Sequence, residues 1–350
     1  MKTVKVSASK EYSVIIGRGL LSNLGTEAAK AVNPCKAAIV SDSNVWPLYG
    51  EIAAKSLVEA GFDVFNYVFP AGEESKNGST YLELLNCLAD NRLTRSDCLI
   101  ALGGGVVGDL TGFAAATYLR GIRYIQVPTT LLAAVDSSVG GKTAIDLPAG
   151  KNLAGAFCQP SLVLCDINTL SSLPEEIYRD GCAEVIKYGI LYDPQLMDHL
   201  QEHGMDFDRE TVIARCVELK RDVVMEDEFD TGSRQKLNLG HTIGHGIEAG
   251  SGFSISHGKA VAAGIAIVTR ASREYGICDS QAAALILKVL NRFQLPTGTN
   301  YAEDALYSAA LSDKKCSGSI VNLIVPKTIG NCIIHPVPVE RMLPFIKAGL

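Results

Sequence analysis

Short apolar runs alternate with longer amphipathic stretches through the first half of the chain. The runs are rich in β-branched residues and end at turn-forming residues, which predicts strands. They lie at residues 13–17, 37–41, 62–68, 97–102, 124–127 and 161–165. Helical patterns at 45–60, 77–91 and 107–119 separate several of them, so the repeating unit is βαβ and the sheet should be mainly parallel. We therefore predict an α/β nucleotide-binding domain over residues 1–170.

Beyond about residue 170, helical periodicity replaces the strand pattern. The predicted helices lie at 174–188, 194–203, 209–226, 233–249, 258–275 and 281–292, and many of them are amphipathic. A short β pair is predicted at 319–325 and 332–337, with a turn at 327–331 between its strands. Residues 171–350 are thus expected to form a second, mostly α-helical domain.

Composition and charge exclude several classes of protein. The chain has 350 residues, of which 47% are hydrophobic, enough for two domains with full cores. A formal net charge of −6 leaves no basic excess for binding nucleic acid. The longest apolar stretch, 260–268, is too short to span a bilayer, and the N-terminal sequence MKTVKVSASKEY lacks the apolar region of a signal peptide. A cytoplasmic protein that binds neither membranes nor nucleic acid is expected.

The ten cysteines are scattered singly along the chain, without a CxxC pair or a repeating spacing. This distribution predicts reduced, mostly buried thiols rather than a disulfide framework, as in proteins of reducing compartments.

Histidines are concentrated in one part of the helical half, where three of the six lie between positions 241 and 257. On a continuous helix at about 100° per residue, Arg234, Asn238, His241 and His245 would share an arc of roughly 60°. Two imidazoles one turn apart, with His257 shortly after, suit a divalent metal such as zinc. The alternative is a polar helix face or a pair of hydrogen-bonded core histidines.

Two glycines, Gly240 and Gly244, lie inside this predicted helix. Each is about 1 kcal/mol less favourable there than Ala. Their presence indicates that another backbone or a ligand approaches the helix closely.

A glycine-rich turn, GGGVVGD at 103–109, follows the predicted strand 97–102 and leads into a helix. Backbone N–H groups at such a turn can approach a pyrophosphate, and the helix dipole favours its negative charge. Alternatively, the glycines only relieve crowding. Residues 103–108, GGGVVG, match the letters of the GxGxxG fingerprint, but a lone glycine run is weak evidence. An ordinary dinucleotide-binding fold is therefore not assigned on this turn alone.

The segment 128–152, PTTLLAAVDSSVGGKTAIDLPAGKN, is dense in hydroxyls, glycines and charges. Asp136, Lys142, Lys151 and Asn152 are candidates to line a cleft for a polyhydroxylated, phosphorylated substrate; the alternative is a solvated loop. Further on, Glu184 and Lys187 have the i, i+3 spacing that is also typical of a surface salt bridge.

In combination, several motifs resemble those of the 3-dehydroquinate synthases, which belong to the sugar phosphate cyclases. The matching motifs run in order from about residue 42 to 315 and include GGGVVGD, PTTLLAAVDSSVGGKTAID, GKN, AEVIKYG, ELKRDVV, RQKLNLGHTIGH and HGKAV. The resemblance implies an NAD-dependent lyase that requires zinc or cobalt. Such an enzyme converts 3-deoxy-D-arabino-heptulosonate 7-phosphate to 3-dehydroquinate and phosphate in the shikimate pathway of aromatic amino acid biosynthesis. The resemblance also implies that the helical C-terminal domain binds metal and substrate.

The resemblance assigns the metal to Glu184, His241 and His257, and makes His245 an acid/base group. For the cofactor it implies Asp42, Asn44, Glu73, Lys76, Gly104, Gly105, Asp109, Thr129, Thr130, Leu132, Lys142, Lys151, Thr169 and Ser172. For the substrate it implies Arg234 and Lys220 at the carboxylate, Asp136, Lys187 and Asn238 at hydroxyls, and Lys142, Asn152, Lys314 or Lys315, and Arg120 at the phosphate. Because Arg120 would come from a neighbouring subunit, a homodimer is implied.

One position departs from the family pattern, since Lys259 stands where a Glu is usual after the last ligand. This charge reversal puts metal affinity in question. Related cyclases of the 2-deoxy-scyllo-inosose synthase and valiolone types share the opening chemistry and stay as alternatives. A metal-dependent polyol dehydrogenase of the glycerol dehydrogenase type is another alternative, but it would not need the phosphate-binding residues Lys142, Asn152 and Arg120. A binding protein without catalysis is a third alternative, but it would not need the complete set of metal ligands.

Overall fold

The computed structural model describes residues 1–252, 254–304, 306–307, 316–317 and 320–350. These residues form two compact units. The first contains Met1–Pro174 and Arg209–Phe229, and the second contains Glu175–Asp208 and Asp230–Leu350. Residues 209–229 therefore belong to the first unit in the structure, whereas a division at residue 170 assigns them to the second.

The first unit is an α/β fold whose labels follow chain order. Its strands are β1 (Lys2–Ser7), β2 (Glu11–Gly17), β3 (Lys36–Asp42), β4 (Asp63–Phe69), β5 (Cys98–Gly103), β6 (Arg123–Pro128), β7 (Lys142–Leu147), β8 (Gly150–Phe157) and β9 (Leu162–Asp166). Its α-helices are α1 (Leu24–Ala31), α2 (Trp46–Glu59), α3 (Gly78–Asp90), α4 (Gly105–Thr117) and α7 (Arg209–Glu226). All six strands predicted from the sequence are confirmed, with boundaries shifted by a residue or two.

Seven strands form one sheet in the order β1-β2-β9-β6-β5-β3-β4. Apart from the antiparallel β1–β2 pair, neighbouring strands are parallel, as the βαβ pattern predicts. After β3 the chain adds β4 on one side, then returns to place β5 on the other side of β3. Such a change of direction opens a crevice at the carboxyl ends of parallel strands, where ligands commonly bind.

The core of this unit lies on both faces of the sheet. Ile39 and Ile100 belong to one buried cluster, whereas Val40 and Leu99 belong to the other. Alternate residues of a strand point to opposite faces, so near-continuous burial along β3 and β5 indicates cover on both sides. The sheet is thus covered on both faces, as in doubly wound α/β folds, and its carboxyl edge is available for ligand binding.

Two strands absent from the sequence-based prediction occupy the segment considered there as a possible solvated loop. β7 and β8 pair in an antiparallel hairpin, preceded by one turn of π-helix over Ala133–Ser137. The edge strand β1 was also missed, although Val4 and Val6 alternate there with polar residues.

The second unit is mostly helical. Its α-helices are α5 (Glu175–Tyr192), α6 (Pro194–His203), α8 (His241–Gly250), α9 (His257–Glu274), α10 (Ser280–Arg292) and α11 (Val339–Gly349), and its strands are β10 (Cys316–Ser317), β11 (Ile320–Thr328) and β12 (Asn331–Pro338). The predicted β pair is confirmed as β11 and β12. α11 was missed; its internal Pro344 is a residue that disfavours helices.

The predicted continuous helix over 233–249 is wrong. A 3₁₀ helix occupies Ser233–Asn238, and α8 begins only at His241. Between them Gly240 adopts φ 78°, a left-handed conformation that breaks the helix. Arg234 and Asn238 therefore do not share a continuous helical face with His241 and His245.

Gly240 and Gly244 do mark a close approach of another backbone, as predicted from the sequence. A Cβ added to Gly264 of α9 would lie 2.1 Å from the carbonyl oxygen of Gly240. A Cβ on Gly244 would lie 3.1 Å from the carbonyl oxygen of Ala260. The start of α8 thus packs backbone to backbone on α9.

None of the nine cysteines whose side chains the structure describes forms a disulfide, and six of them are buried. Across the described residues, no helix combines the length and the apolar character needed to cross a membrane.

This packing predicts that Gly264→Ala destabilises the protein, because the added methyl group meets backbone that cannot rotate away. We expect a loss of about 1–3 kcal/mol, typical of overpacking, seen as a lower midpoint in urea denaturation. Gly298→Ala is the matched control, since its Cβ would lie 3.9 Å from Nη2 of Arg270. Equal midpoints for the two variants would contradict the close packing of α8 on α9.

Candidate active site

A buried carboxylate, Glu184 on α5, lies at the centre of a charged cluster in the second unit. Its side chain is 1% exposed, and Lys187, one turn further along α5, pairs with its Oε2 and is 2% exposed. The alternative of a surface salt bridge is therefore wrong. A carboxylate so far from water requires positive partners.

Two imidazoles face the other oxygen of this carboxylate. Nε2 of His241 lies 3.6 Å and Nε2 of His257 lies 3.3 Å from Glu184 Oε1. His241 is the first residue of α8 and His257 the first residue of α9. One helix interior and two helix starts thus bring together three side chains that are far apart in sequence.

The ring orientations leave both Nε2 atoms facing this common point. His241 Nδ1 lies 3.1 Å from the carbonyl oxygen of Leu239, and His257 Nδ1 lies 3.2 Å from Oε2 of Glu248. A proton on each Nδ1 satisfies these acceptors and leaves the Nε2 lone pair available.

The donor set fits a divalent metal. Glu184, His241 and His257 each offer one ligand atom, and these three atoms all lie within 4.8 Å of one another. Two imidazoles and one carboxylate are a common protein ligand set of catalytic zinc, which keeps further positions open for substrate or water.

The electrostatics favour positive charge at the same point. Burial lowers the pKa of His257, but hydrogen bonds and charge interactions with Glu184 and Glu248 outweigh it and raise the pKa to about 10. Two carboxylates around one imidazole stabilise a cation there, whether a proton or a metal ion.

His245 lies beside this cluster and is exposed. Its ring centroid is 5.5 Å from that of His241 and 6.2 Å from that of His257. With Glu248 and His257 it forms a second group of possible ligands. The geometry places His245 where it can reach a molecule held at the cluster.

Arg234 and Asn238 lie in the 3₁₀ helix that precedes α8. Arg234 is 1% exposed, and the side-chain amide of Asn238 donates to the carbonyl oxygen of Gln235 at 3.0 Å. Both residues belong to the unit that carries the histidines, although not on the shared helical face that the sequence predicted.

Lys259, the departure from the family pattern, directs its charge away from Glu184. Its Nζ lies 3.6 Å from Oε2 of Glu176 on α5, and its backbone N–H donates to Asp180 at 2.9 Å. The side chain is 36% exposed, so solvent screens its charge from the cluster.

In the first unit, most of the predicted cofactor residues lie at the carboxyl ends of neighbouring strands. Asp42 ends β3, Gly104 and Gly105 follow β5, Thr129 and Thr130 follow β6, and Thr169 follows β9. Parallel pairing of these strands brings the positions to one edge of the sheet.

Two features of this edge fit a dinucleotide phosphate. Gly104 caps α4 without a side-chain hydrogen bond, so the first N–H groups of that helix can bind an anion. The Thr129 hydroxyl is buried and has no hydrogen-bond partner among the described residues. A bound ligand would satisfy it.

Lys76 joins several predicted residues into a network. Its Nζ donates to Asp109 Oδ2 and to Asn152 Oδ1, each at 2.6 Å. Burial lowers the pKa of Lys76, but Asp109 and Glu73 raise it more, so the ammonium stays charged. Burial raises the pKa of Asp109, and Lys76 opposes this shift.

Other predicted residues of the first unit are held by local contacts. Lys151 Nζ lies 3.3 Å from Glu73. Asp42 accepts from the backbone N–H of Asn44 at 2.9 Å. Tyr49 donates to Ser172 at 2.6 Å and to the carbonyl oxygen of Thr169 at 3.2 Å. Leu132 precedes the π-helix.

The π-helix places Asp136 against α7. Lys220 pairs with its carboxylate and also donates to its carbonyl oxygen, the latter at 2.7 Å. Lys142 is exposed at the start of β7. Asp136, Lys142 and Lys220 therefore all belong to the first unit, to which α7 contributes.

Arg120 is exposed and adopts φ 68° at the end of a 3₁₀ turn, next to Leu119 at φ 51°. Two successive non-glycine residues in the left-handed region are uncommon. Lys314 and Lys315 lie outside the described residues.

Sequence reasoning missed two acidic residues of these sites. Glu248 contacts His257, and Asp146 accepts from the backbone N–H of Asn152 at 2.7 Å. A signal for Glu248 existed, because it follows His241 by seven residues and so shares its face on α8. No comparable pattern pointed to Asp146, whose role depends on the hairpin.

Solved structures define the class of the fold. A 2-deoxy-scyllo-inosose synthase complexed with carbaglucose-6-phosphate, NAD⁺ and Co²⁺ superposes with a TM-score of 0.90 at 24% identity, covering 100% of both chains. ValA, a 2-epi-5-epi-valiolone synthase from Streptomyces hygroscopicus subsp. jinggangensis 5008 with NAD⁺ and Zn²⁺ bound, gives a TM-score of 0.88 at 27% identity over 98% of each chain. The fold is that of the sugar phosphate cyclases.

Within this class, family models and a relative identify the family. The 3-dehydroquinate synthase N-terminal model matches residues 66–180, and the 3-dehydroquinate synthase C-terminal model matches residues 181–316. A 3-dehydroquinate synthase from Streptococcus suis (strain 05ZYH33) is 42% identical over 343 residues, which cover 96% of this chain and 97% of that protein. The chain belongs to the 3-dehydroquinate synthase family.

Proposed function

We propose that this protein is a 3-dehydroquinate synthase, an NAD- and metal-dependent lyase of the shikimate pathway. It converts 3-deoxy-D-arabino-heptulosonate 7-phosphate to 3-dehydroquinate and inorganic phosphate. The reaction combines transient oxidation, β-elimination of phosphate, reduction and intramolecular aldol closure. The observation that carries the proposal is the cluster of Glu184, His241 and His257 in a chain matched along most of its length by the family.

Glu184, His241 and His257 would hold zinc or cobalt, and the carboxyl edge of the first unit would hold NAD. Bound there, the metal supplies Lewis acidity toward substrate oxygens and NAD supplies reversible hydride acceptance. The cofactor contacts would come from the strand ends and the Lys76 network. The proposed set is Asp42, Asn44, Glu73, Lys76, Gly104, Gly105, Asp109, Thr129, Thr130, Leu132, Lys142, Lys151, Thr169 and Ser172.

The substrate is a sugar phosphate with three kinds of group to be recognised. Arg234 and Lys220 would bind its carboxylate, because both are buried cations. Asp136, Lys187 and Asn238 would bind hydroxyls. Lys142, Asn152, one of Lys314 and Lys315, and Arg120 would bind the phosphate.

Proton transfer is the chemistry left to side chains. His245 is exposed beside the ligand cluster and would take the proton of the hydroxyl that is oxidised, since an imidazole titrates near neutral pH. Oxidation of that carbinol makes the neighbouring C–H acidic. The departing phosphate would itself accept this proton as its C–O bond breaks and the C=C bond forms. Lys187, which neutralises Glu184, would also donate to a substrate hydroxyl.

The proposed reaction predicts catalytic use of NAD⁺. With the heptulosonate phosphate in large excess over NAD⁺, many phosphates should be released per NAD⁺ without accumulation of NADH. Phosphate release and absorbance at the NADH band are followed in the same cuvette. NADH formation in proportion to turnover would indicate a polyol dehydrogenase, and no reaction with this substrate would indicate another cyclase of the 2-deoxy-scyllo-inosose synthase type.

The ligand assignment gives a prediction about zinc content. Glu184→Ala and His257→Ala should lose tight zinc binding, whereas His245→Ala should keep zinc and lose about 10²–10⁴-fold in kcat. Zinc content after dialysis is measured by atomic absorption. His203→Ala is the control, because His203 stacks on His199 of α6 and should keep both zinc and activity. Wild-type zinc content in His257→Ala would overturn the assignment.

We also propose a cytoplasmic homodimer in which Arg120 reaches the neighbouring subunit's site. The described cysteines, which form no disulfides, support a reducing compartment. The exposure of Arg120 supports a role toward a partner.

Subunit complementation tests this assembly. Arg120→Ala and His245→Ala, each nearly inactive alone, should regain activity when they are mixed under subunit exchange. In a mixed dimer, one site would combine an intact His245 with the partner's intact arginine, so about a quarter of wild-type activity is expected from random pairing. Absence of recovery, with exchange verified by tagged subunits, would place Arg120 in its own subunit's site.

A further inference from the structure

Glu248 is a buried acid that the proposed reaction does not use. It lies on α8, is 2% exposed, and its Oε2 is 3.2 Å from Nδ1 of His257. Burial of a carboxylate in a helical core is unfavourable unless its charge is matched. Its position facing a proposed metal ligand therefore points to a functional role.

The helical register of α8 accounts for the contact between Glu248 and His257. His241 and Glu248 are seven residues apart, so they lie about 20° apart around the helix axis, two turns from each other. One face of α8 thus supplies a proposed ligand at its first turn and, further along, an acid that contacts the proposed ligand at the start of α9. The helix α8 therefore positions both proposed histidine ligands. His241 is part of α8, and His257 is contacted by Glu248 of α8.

The two imidazoles differ in what holds them. His241 Nδ1 faces a backbone carbonyl, that of Leu239, whereas His257 Nδ1 faces a carboxylate. His257 also begins α9, where the positive end of the helix dipole disfavours a cation. A carboxylate behind the ring offsets that effect and makes Nε2 a stronger donor, as in carboxylate–histidine–zinc arrangements.

We infer that Glu248 is the positioning residue for His257: it holds the Nδ1–H tautomer and directs Nε2 toward the metal. This inference rests on the proposed function, specifically on Glu184, His241 and His257 as ligands. Removal of the charge should weaken zinc binding by about 10–100-fold while the metal-free protein stays folded.

A direct ligand role for Glu248 is the competing hypothesis, because Glu248, His245 and His257 also form a group of possible ligands. In that case loss of His245 would weaken zinc binding as much as loss of Glu248. A positioning residue predicts the opposite, since His245 takes no part in fixing the His257 ring.

The test measures the zinc dissociation constant of the metal-free full-length protein by competition with a chromophoric chelator, without substrate or NAD. Glu248→Gln keeps the shape of the side chain but loses its charge, and should raise the constant about 10–100-fold. Glu248→Asp keeps the charge and should raise it less. The Co²⁺-substituted protein should show a shifted visible spectrum in Glu248→Gln, because the donor strength of His257 changes.

Asp193→Asn is the matched control. Asp193 is a buried carboxylate of the same unit that accepts from the N–H groups of Gln195 and Leu196 at the start of α6. Its zinc constant should equal that of the wild type. Thermal unfolding of each metal-free variant, followed by circular dichroism, separates loss of fold from loss of affinity.

The outcomes separate this inference from the proposed function. Tight zinc binding by the wild type and by Glu248→Gln, with loss in Glu184→Ala, would overturn the role of Glu248 alone. Equal losses in His245→Ala and Glu248→Gln, or two zinc ions per chain, would overturn it in favour of a direct ligand. If Glu184→Ala binds zinc like the wild type, the proposed ligand set itself is wrong. If Glu248→Gln does not fold, an unchanged constant in Glu248→Asp, whose shorter carboxylate cannot keep the same contact, would contradict the inference.

Discussion

The burial of Glu184 is the constraint on which the second unit depends. A carboxylate that is 1% exposed is tolerated only when cations or strong donors surround it. Lys187, from the same helix, forms an ion pair with one oxygen. The other oxygen faces His241 and His257 at the starts of α8 and α9. The close contact between Gly240 and Gly264 lets these two helix starts meet at one point. Helix packing and ligand geometry are therefore a single arrangement.

The first unit reaches its candidate site by a different route. Backbone and strand order do most of the positioning, because the carboxyl ends of β3, β5, β6 and β9 lie side by side. Side chains add a charged network around Lys76, which Asp109 keeps in its ammonium form. Such a surface suits a ligand with phosphates and many hydroxyls, whereas the histidine cluster suits a small cation. Oxidation of a sugar phosphate and elimination of its phosphate need both kinds of site, one for the dinucleotide and one for the metal ion.

The sequence predicted elements whose signals are local and failed where tertiary contacts decide. The buried strands β3 and β5 were predicted because a short apolar run bounded by turns is typical of a strand covered on both faces. The helix over 233–249 was not correct, because its periodicity continues through Gly240 while that residue's backbone does not. Likewise, the i, i+3 spacing of Glu184 and Lys187 is the same on a surface and in a core, so the pattern alone could not distinguish them. The proposed ligand set of Glu184, His241 and His257 came from family resemblance rather than from spacing.

The charge balance near the cluster depends on where Lys259 places its ammonium group. With both imidazoles neutral, as metal ligation requires, Glu184 and Glu248 opposite one Lys187 leave a net negative charge, which a bound divalent cation would convert to a net positive one. A positive site attracts an anionic sugar phosphate, while a second lysine directed inward would repel the metal before substrate arrives. Lys259 avoids this because its ammonium turns to Glu176 at the surface. The ion pair with Glu176 on α5 and the surrounding solvent therefore weaken the effect of the Lys259 charge on the field at Glu184.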